Sequence, residues 1–79
     1  MSPTVFREKG YRFYFLSNEE RRVHIHIECQ NGEAKFWIEP VVALAHAQGL
    51  NKRVVYELFE LVTRHKNEII KKWLQHFGC

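Results

Sequence analysis

The chain has 79 residues, of which 46% are apolar and 27% charged, and its formal net charge is +3. This length accommodates one domain, 1–79, and excludes a catalytic domain joined to a separate regulatory one. The aromatic content of 14% excludes a disordered chain. No apolar run reaches the roughly 20 residues of a membrane helix, and the first residues lack a signal-peptide pattern. We therefore expect a cytosolic protein that does not contact a membrane.

The first forty residues have the pattern of β-hairpins. Residues 4–16 contain two β-rich runs on either side of Gly10, which predicts one hairpin. Residues 23–29 alternate strictly between apolar and polar side chains, and this period of two is the clearest strand signal in the chain. The Asn-Gly pair at 31–32 predicts a tight turn into a further strand over 34–39.

The rest of the chain changes from strand to helix. Residues 41–48 are ambiguous, because two valines suit a strand whereas three alanines suit a helical turn, and we favour the strand. Asn51 predicts the start of a long helix and Gly78 its end, with a break near its middle as an open alternative. We predict an α+β fold in which 1–50 are mostly β and 51–78 helical. It comprises a four- or five-stranded, mainly antiparallel sheet packed by a long C-terminal helix or a broken helix pair.

A pair of histidines gives the chain its clearest candidate for chemistry. His24 and His26 are two residues apart on one strand and therefore project to the same side. A turn at 31–32 brings Lys35 and Glu39 to that face, near the histidines. Two imidazoles, an ammonium group and a carboxylate are groups that metal-independent, general acid–base cleavage of RNA uses. We therefore take His24, His26, Lys35 and Glu39 as candidate catalytic residues and expect no metal or other cofactor.

Three further residues are candidates for binding RNA. Trp37 shares the face of Lys35 and offers a ring on which a base can stack, while Arg21 and Arg22 precede the histidine strand and could reach phosphate. Two other interpretations stay open. Alternating His and Lys side chains also mark the solvated face of an antiparallel sheet. Two histidines at this spacing also suit a shared metal, although no third ligand stands at an obvious spacing.

The predicted helix has a wider apolar arc than packing on one sheet requires. Tyr56, Phe59, Ile70 and Leu74 extend this arc, and we take them as candidates for an interface with a second copy or with another protein. The net charge of +3 lies wholly in residues 51–79, where six basic and three acidic residues are interleaved, several as i,i+4 pairs. Net charge is therefore a weak argument for nucleic-acid binding.

An ordered set of short segments resembles one protein family over essentially the whole chain. The segments are Pro-Thr-Val-Phe-Arg at 3–7, Gly-Tyr-Arg-Phe-Tyr-Phe at 10–15, Ser-Asn-Glu at 17–19, His-Ile-His-Ile at 24–27 and Ala-Lys-Phe-Trp-Ile-Glu-Pro at 34–40, followed by His65 and Trp73. They resemble the small prokaryotic domain-of-unknown-function family numbered 4160. The family's His-x-His matches His24 and His26, its Lys-Phe-Trp begins at Lys35 and ends at Trp37, and its acidic-Pro step matches Glu39.

The resemblance implies a short, stand-alone cytosolic protein, often encoded beside a second small protein. That arrangement suggests a type II toxin–antitoxin module in which this family is the toxin, acts on RNA and has the neighbouring protein as its cognate partner. The expected function is therefore a toxin-like protein that binds RNA and cleaves it without a metal. A non-catalytic interaction module is the alternative, and a metal-dependent small enzyme is a third interpretation.

Overall fold

The computed structural model describes residues 4–16 and 21–78. The elements in those ranges are β1 (Thr4–Glu8), β2 (Tyr11–Tyr14), β3 (His24–Glu28), β4 (Glu33–Trp37), β5 (Ala43–Gln48), α1 (Lys52–Arg64) and α2 (Lys66–Phe77). The strands form one open antiparallel sheet in chain order from β1 to β5. The predicted α+β class is confirmed, with five strands and a broken helix pair, and the ambiguous segment over 41–48 contains β5.

The hairpin of β1 and β2 turns through Lys9 and Gly10. Both residues have positive φ, 55° and 82°, which is the conformation of a two-residue type I′ turn. This turn matches the right-handed twist of the strands that it joins, and the glycine adopts the second positive φ without steric cost. The hairpin predicted over residues 4–16 is confirmed.

The turn between β3 and β4 lies directly against the end of β5. The Cys29 amide donates to the Gly32 carbonyl at 2.8 Å, which closes the turn. A Cβ at Gly32 would overlap the Gln48 carbonyl oxygen, so the close approach of the two backbones requires glycine there. Gly49, with a φ of 74°, lies directly against the same turn, and a Cβ there would overlap the Asn31 carbonyl oxygen. Gly32 and Gly49 therefore allow the backbone of the β3–β4 turn to pack closely against the backbone at the end of β5.

One face of the sheet and both helices enclose the apolar core. The strand alternation sends every second side chain toward the helices, and the helices supply a matching stripe. The sheet contributes mainly aromatic and β-branched residues that are buried: Val5, Phe13, Phe15, Ile25, Ile27, Ala34, Phe36 and Ile38. The helices contribute Leu58, Leu61, Val62, Ile69 and Trp73. We call the helix-covered side the inner face.

The helical segment begins and ends where its sequence signals predict. The Asn51 side chain accepts a hydrogen bond from the Val54 amide at 2.9 Å, which caps the start of α1. Gly78 ends α2 in the left-handed conformation, with a φ of 79°. His65 interrupts the helix between α1 and α2, so the alternative of a broken helix is confirmed. Within the described ranges, neither helix has the length and apolar character needed to cross a membrane.

Candidate functional site

The side of the sheet away from the helices carries four of the seven residues predicted for catalysis or RNA binding, namely His24, His26, Lys35 and Trp37. Because side chains alternate along each strand, the neighbours of the buried residues point to this opposite side. We call it the outer face and define it by ten side chains: Arg12, Tyr14, His24, His26, Glu28, Glu33, Lys35, Trp37, His46 and Gln48. Among the described residues, Trp73 of α2 packs against His24 at one end of this face, and no further strand lies over it.

A row of four polar side chains crosses the middle of the outer face. The register pairs Tyr14 with His26, His26 with Lys35, and Lys35 with His46, so one residue from each of β2, β3, β4 and β5 lies side by side. We call these four residues the central row. The rings of Tyr14 and His26 are stacked with centroids 5.5 Å apart. The row lines a shallow cavity of about 370 Å³.

The central row places Lys35 between two histidines, and the Lys35 ammonium group lies against the neighbouring Trp37 ring. Neighbouring strands lie about 4.8 Å apart, so the backbones of His26 and His46 are separated by about 10 Å with Lys35 between them. His26 and Lys35 are half-buried, whereas His46 is exposed. A group held above Lys35 could therefore be reached by an imidazole from each side.

His24 lies on the same face but is covered. Its side chain is only 1% exposed, because the ring packs against Trp37 and against Trp73 of α2, with centroid distances of 5.7 and 5.1 Å. Its Nδ1 donates to the Arg22 carbonyl oxygen at 2.6 Å. The ring also meets His26 edge to face, with centroids 5.1 Å apart. This catalytic candidate is thus placed to support the face rather than to touch a substrate.

The predicted RNA-binding residues meet around Trp37. The Arg22 guanidinium carbon is 4.3 Å from the centroid of the Trp37 ring, and the Lys35 ammonium nitrogen is 4.4 Å from it. Both are cation–π contacts. A base that stacks on this ring must therefore share it with a cation, whose charge favours the approach of phosphate. Arg21 is exposed at the same end of the face.

Glu39 does not join the central row. It follows β4 and is exposed. Its backbone carbonyl accepts a hydrogen bond from Arg22 Nε at 2.8 Å. Within the described ranges its carboxylate makes no hydrogen bond or ion pair. Glu39 thus holds Arg22 through its backbone, which separates it from the three other candidate catalytic residues.

The opposite end of the outer face is acidic. Glu28 and Glu33 are paired directly across β3 and β4. Arg12 lies 3.5 Å from the Glu28 carboxylate, and its guanidinium carbon also lies 4.5 Å from the centroid of the Tyr14 ring. Like charges directly opposite one another are unfavourable, and Arg12 offsets part of this cost. The outer face is therefore polarised, with Arg22 and Lys35 near Trp37, and with two carboxylates and one cation, Arg12, near the β3–β4 turn.

The shifted pKa values belong to polar groups at the rim of the inner face and at the β3–β4 turn. The Tyr11 hydroxyl donates to Glu57 at 2.7 Å, and this hydrogen bond, with partial burial, raises the pKa of Tyr11 to about 12. The same bond lowers the pKa of Glu57. Burial raises the pKa of the Cys29 thiol. Tyr11 and Glu57 join β2 to α1, and neither they nor Cys29 extend the central row.

A second group at that rim joins β1 to the break between the helices. His65 contacts Glu8 at 2.8 Å and Glu68 at 3.0 Å, and its ring lies 4.2 Å from that of Phe6. The hydrogen bond from His65, followed by one from Lys72, lowers the pKa of Glu68. Within the described residues no group of three or more His, Cys, Asp or Glu could hold a metal ion.

The predicted partner-interface residues separate into two groups. Tyr56 and Phe59 of α1 are 65% and 38% exposed and line an apolar groove of about 400 Å³ beside β5. Leu44 of β5, 46% exposed, forms the other wall. Ile70 is half-buried against the core, and Leu74, although 50% exposed, lies on α2 outside the groove. We call Leu44, Tyr56 and Phe59 the groove patch.

Sequence reasoning missed Tyr14 and His46. Tyr14 alternates with Phe13 and Phe15, so its outward direction was readable from the sequence. The signal for His46 was weaker, because the segment over 41–48 was ambiguous. The register of β4 with β5 also shifts between Lys35 and Phe36, and this irregularity decides which residue faces Lys35.

These features define a small α+β domain whose sheet has one helix-covered face and one polar, aromatic face. The model of the family described as "Domain of unknown function (DUF4160)" matches residues 10–74. The chain belongs to this family. Comparison with curated proteins found no match, and comparison with solved structures found none either.

Proposed function

We propose that the protein is a toxin-like component of a prokaryotic toxin–antitoxin module that binds single-stranded RNA on the outer face and cleaves it without a metal. The observation that carries the proposal is the central row, in which the register holds Lys35 between His26 and His46. Two imidazoles and a nearby cation are the groups needed for general acid–base cleavage of a phosphodiester.

The cleavage step uses the ribose 2′-hydroxyl as its nucleophile. One neutral imidazole of the pair His26 and His46 accepts the 2′-hydroxyl proton while the 2′-oxygen bonds to the adjacent phosphorus. The other imidazole, in its protonated form, gives its proton to the departing 5′-oxygen as the P–O bond breaks. The Lys35 ammonium group stabilises the additional negative charge on the phosphorane oxygens. The products are a 2′,3′-cyclic phosphate and a free 5′-hydroxyl.

Residues at the Trp37 end of the face would bind the strand. Arg22 and Lys35 bring positive charge to the Trp37 ring, so a base and its phosphate could be held at neighbouring positions. Arg21 adds a further exposed cation there. Glu28 and Glu33 at the opposite end would repel phosphate, so we expect the strand to follow the cationic half of the face.

A cleavage assay with purified protein and a fluorescent single-stranded RNA tests the proposal. We expect His26→Ala, His46→Ala and Lys35→Ala each to lower the cleavage rate about 10²–10⁴-fold, the usual contribution of a general acid or base. EDTA should leave the rate unchanged, and a substrate with deoxyribose at the scissile position should be resistant. His76→Ala is the matched control, because His76 is an exposed histidine on α2, away from the outer face.

The proposal fails if the wild-type protein neither binds nor cleaves RNA, or if the His26→Ala and His76→Ala variants lose activity equally. The toxin role has its own test, which is growth after expression in a bacterial host. We expect the wild-type protein to slow growth, a His26→Ala/His46→Ala variant to be harmless, and co-expression of the small protein encoded beside it to restore growth. Harmless wild-type expression would contradict the toxin role while leaving RNA cleavage to the assay.

A non-catalytic interaction module is the second candidate function. One observation favours it, namely the exposed groove patch beside β5. In that case the central row is a solvated sheet face. The wild-type protein would not cleave RNA, and substitutions in the central row would make no difference to the RNA. A partner in this groove would be compatible with either function, because the groove between α1 and β5 is separate from the outer face.

A further inference from the structure

The imidazole of His65 lies between two carboxylates at the break between α1 and α2. Its Nε2 atom is 2.8 Å from a Glu8 carboxylate oxygen on the edge strand β1, and its Nδ1 atom is 3.0 Å from a Glu68 oxygen on α2. Both distances are within hydrogen-bond range, and both contacts are half-buried. The Phe6 ring packs on the imidazole, with centroids 4.2 Å apart. The ring is therefore held on three sides.

This arrangement satisfies both ring nitrogens only when His65 is protonated. A neutral imidazole has one N–H donor and one lone pair, whereas an ionised carboxylate only accepts hydrogen bonds. A neutral ring would therefore direct its lone pair at one of the two carboxylates, while the imidazolium ion donates to both. The hydrogen bond from His65 also lowers the pKa of Glu68, so the fold favours the ionised form of this carboxylate.

A cation of α2 extends these contacts into a chain that binds β1 at two points. Lys72 Nζ lies 3.3 Å from the second Glu68 oxygen and donates to the Val5 carbonyl oxygen at 3.0 Å. The contacts start and end on the same edge strand, in the order Glu8, His65, Glu68, Lys72 and Val5. With a protonated imidazole the side-chain charges alternate along this order, whereas a neutral imidazole leaves an uncharged ring between two carboxylates.

Charged and titratable groups of the neighbouring elements also surround this region. Glu57 of α1 accepts a hydrogen bond from Tyr11 of β2 and forms an ion pair with Lys9 in the turn between β1 and β2. Two cations, the exposed Arg64 and the half-buried Lys66, are the chain neighbours of the imidazole. Of the side-chain types in this region, histidine is the one that ordinarily changes its charge between pH 5 and 8. A change of contacts in that range is therefore attributable to the imidazole.

We propose that His65 is a pH-sensitive link between the edge strand β1 and the start of α2. While the imidazole is protonated, it binds both carboxylates and ties α2 to β1 through Glu8. As the pH rises from about 5 to about 8 the ring loses its proton, and one of its two hydrogen bonds is lost. Because α2 contributes Ile69 and Trp73 to the core, a weaker link lowers the stability of the domain. The link does not depend on RNA cleavage.

Urea unfolding measured from about pH 5 to about pH 8 tests the proposal. Over this range the unfolding equilibrium constant of the wild-type protein should rise about tenfold more than that of His65→Gln, because only the wild type loses a hydrogen bond between charged groups. The glutamine amide is uncharged and donates at every pH in the range. His76→Gln is the matched control, because it removes an exposed histidine of the same helix. It should keep the wild-type pH dependence.

Nuclear magnetic resonance of the histidine rings gives a second readout. At the lower end of the pH range both ring nitrogens of His65 should have the ¹⁵N chemical shifts of protonated nitrogens. Glu8→Gln should reduce the pH dependence of unfolding, because an amide can donate to a neutral ring as well as accept from a protonated one. An equal pH dependence of the wild type and His65→Gln would overturn the proposal. So would loss of the pH dependence in His76→Gln, or a His65 ring that is neutral throughout the range.

Discussion

The two faces of the sheet are built from the same strands but are held in different ways. On the inner face, side chains such as Phe13, Ile27 and Phe36 have no exposed surface, and each is surrounded by neighbours from the helices or adjacent strands. On the outer face, Tyr14 and His26 are half-buried, and strand register determines their positions. The inner face therefore carries the stability, while the outer face can vary in chemistry at little cost to the fold.

Two adjacent aromatic residues of β2 test this difference most strongly. Phe13 is fully buried and stacks on Phe6 with centroids 4.2 Å apart, whereas Tyr14 points to the outer face. We expect Phe13→Ala to lower the free energy of unfolding by about 3–5 kcal/mol, because it leaves a cavity in a small core. Tyr14→Ala should lower the free energy of unfolding by about 1 kcal/mol, the upper end for a cross-strand aromatic pair such as Tyr14 and His26. Urea unfolding measures both, and equal losses would contradict the assignment of stability to the inner face.

The two histidines of β3 provide the next test. His24 is buried between two tryptophans and donates to a backbone carbonyl, so His24→Ala should cost about 2 kcal/mol of unfolding free energy. His26→Ala should cost less than about 1 kcal/mol and yet abolish most RNA cleavage. Unfolding curves and cleavage rates of both variants distinguish a structural role for His24 from a catalytic role for His26. Cleavage by His24→Ala, corrected for its folded fraction, should remain within about tenfold of wild type. A larger loss would place His24 among the catalytic residues.

The hydrogen bond between Tyr11 and Glu57 gives the smallest expected effect, visible in the pH dependence of stability. In the folded chain the pKa of Tyr11 is raised to about 12 from 10.0, so the fold favours the protonated hydroxyl. This contribution is complete below pH 10 and is lost as the pH rises toward 12. The lowered pKa of Glu57 acts oppositely, and its contribution is present above pH 4.5 and lost as the pH falls below that value.

Tyr11→Phe should remove the Tyr11 contribution and the largest part of the Glu57 contribution, to which Lys9 and Arg53 also add. Its urea midpoint should be lower than that of the wild-type protein at neutral pH, and the difference should shrink between pH 10 and 12. Tyr56→Phe is the matched control, because the Tyr56 side chain is an exposed tyrosine on the same helix as Glu57. A constant difference between Tyr11→Phe and wild type across that window would contradict the role of this hydrogen bond.

Much of the fold was readable from local sequence signals. The alternation over 23–29 predicted β3 and its two faces, and Asn51 and Gly78 marked the limits of the helical segment. Each signal rests on the geometry of a few neighbouring residues, either the two-residue repeat of a strand or the capping of free backbone groups at a helix end. The candidate site was harder to predict from the sequence, because its residues come from four strands whose register local signals do not determine.

The sequence by itself determined which side of β3 is polar, because alternation is a property of the extended backbone. It also determined that β5 contains no Lys, Arg, Asp or Glu. Only the tertiary structure decided that His46 faces Lys35, since that pairing follows from a register shift between two strands. It also decided that His24 is buried, because Trp73, nearly fifty residues away in the chain, packs against its ring. Composition and small size implied one domain that acts through a surface. The tertiary structure showed that the helices pack on the inner face, which leaves most of the outer face exposed among the described residues.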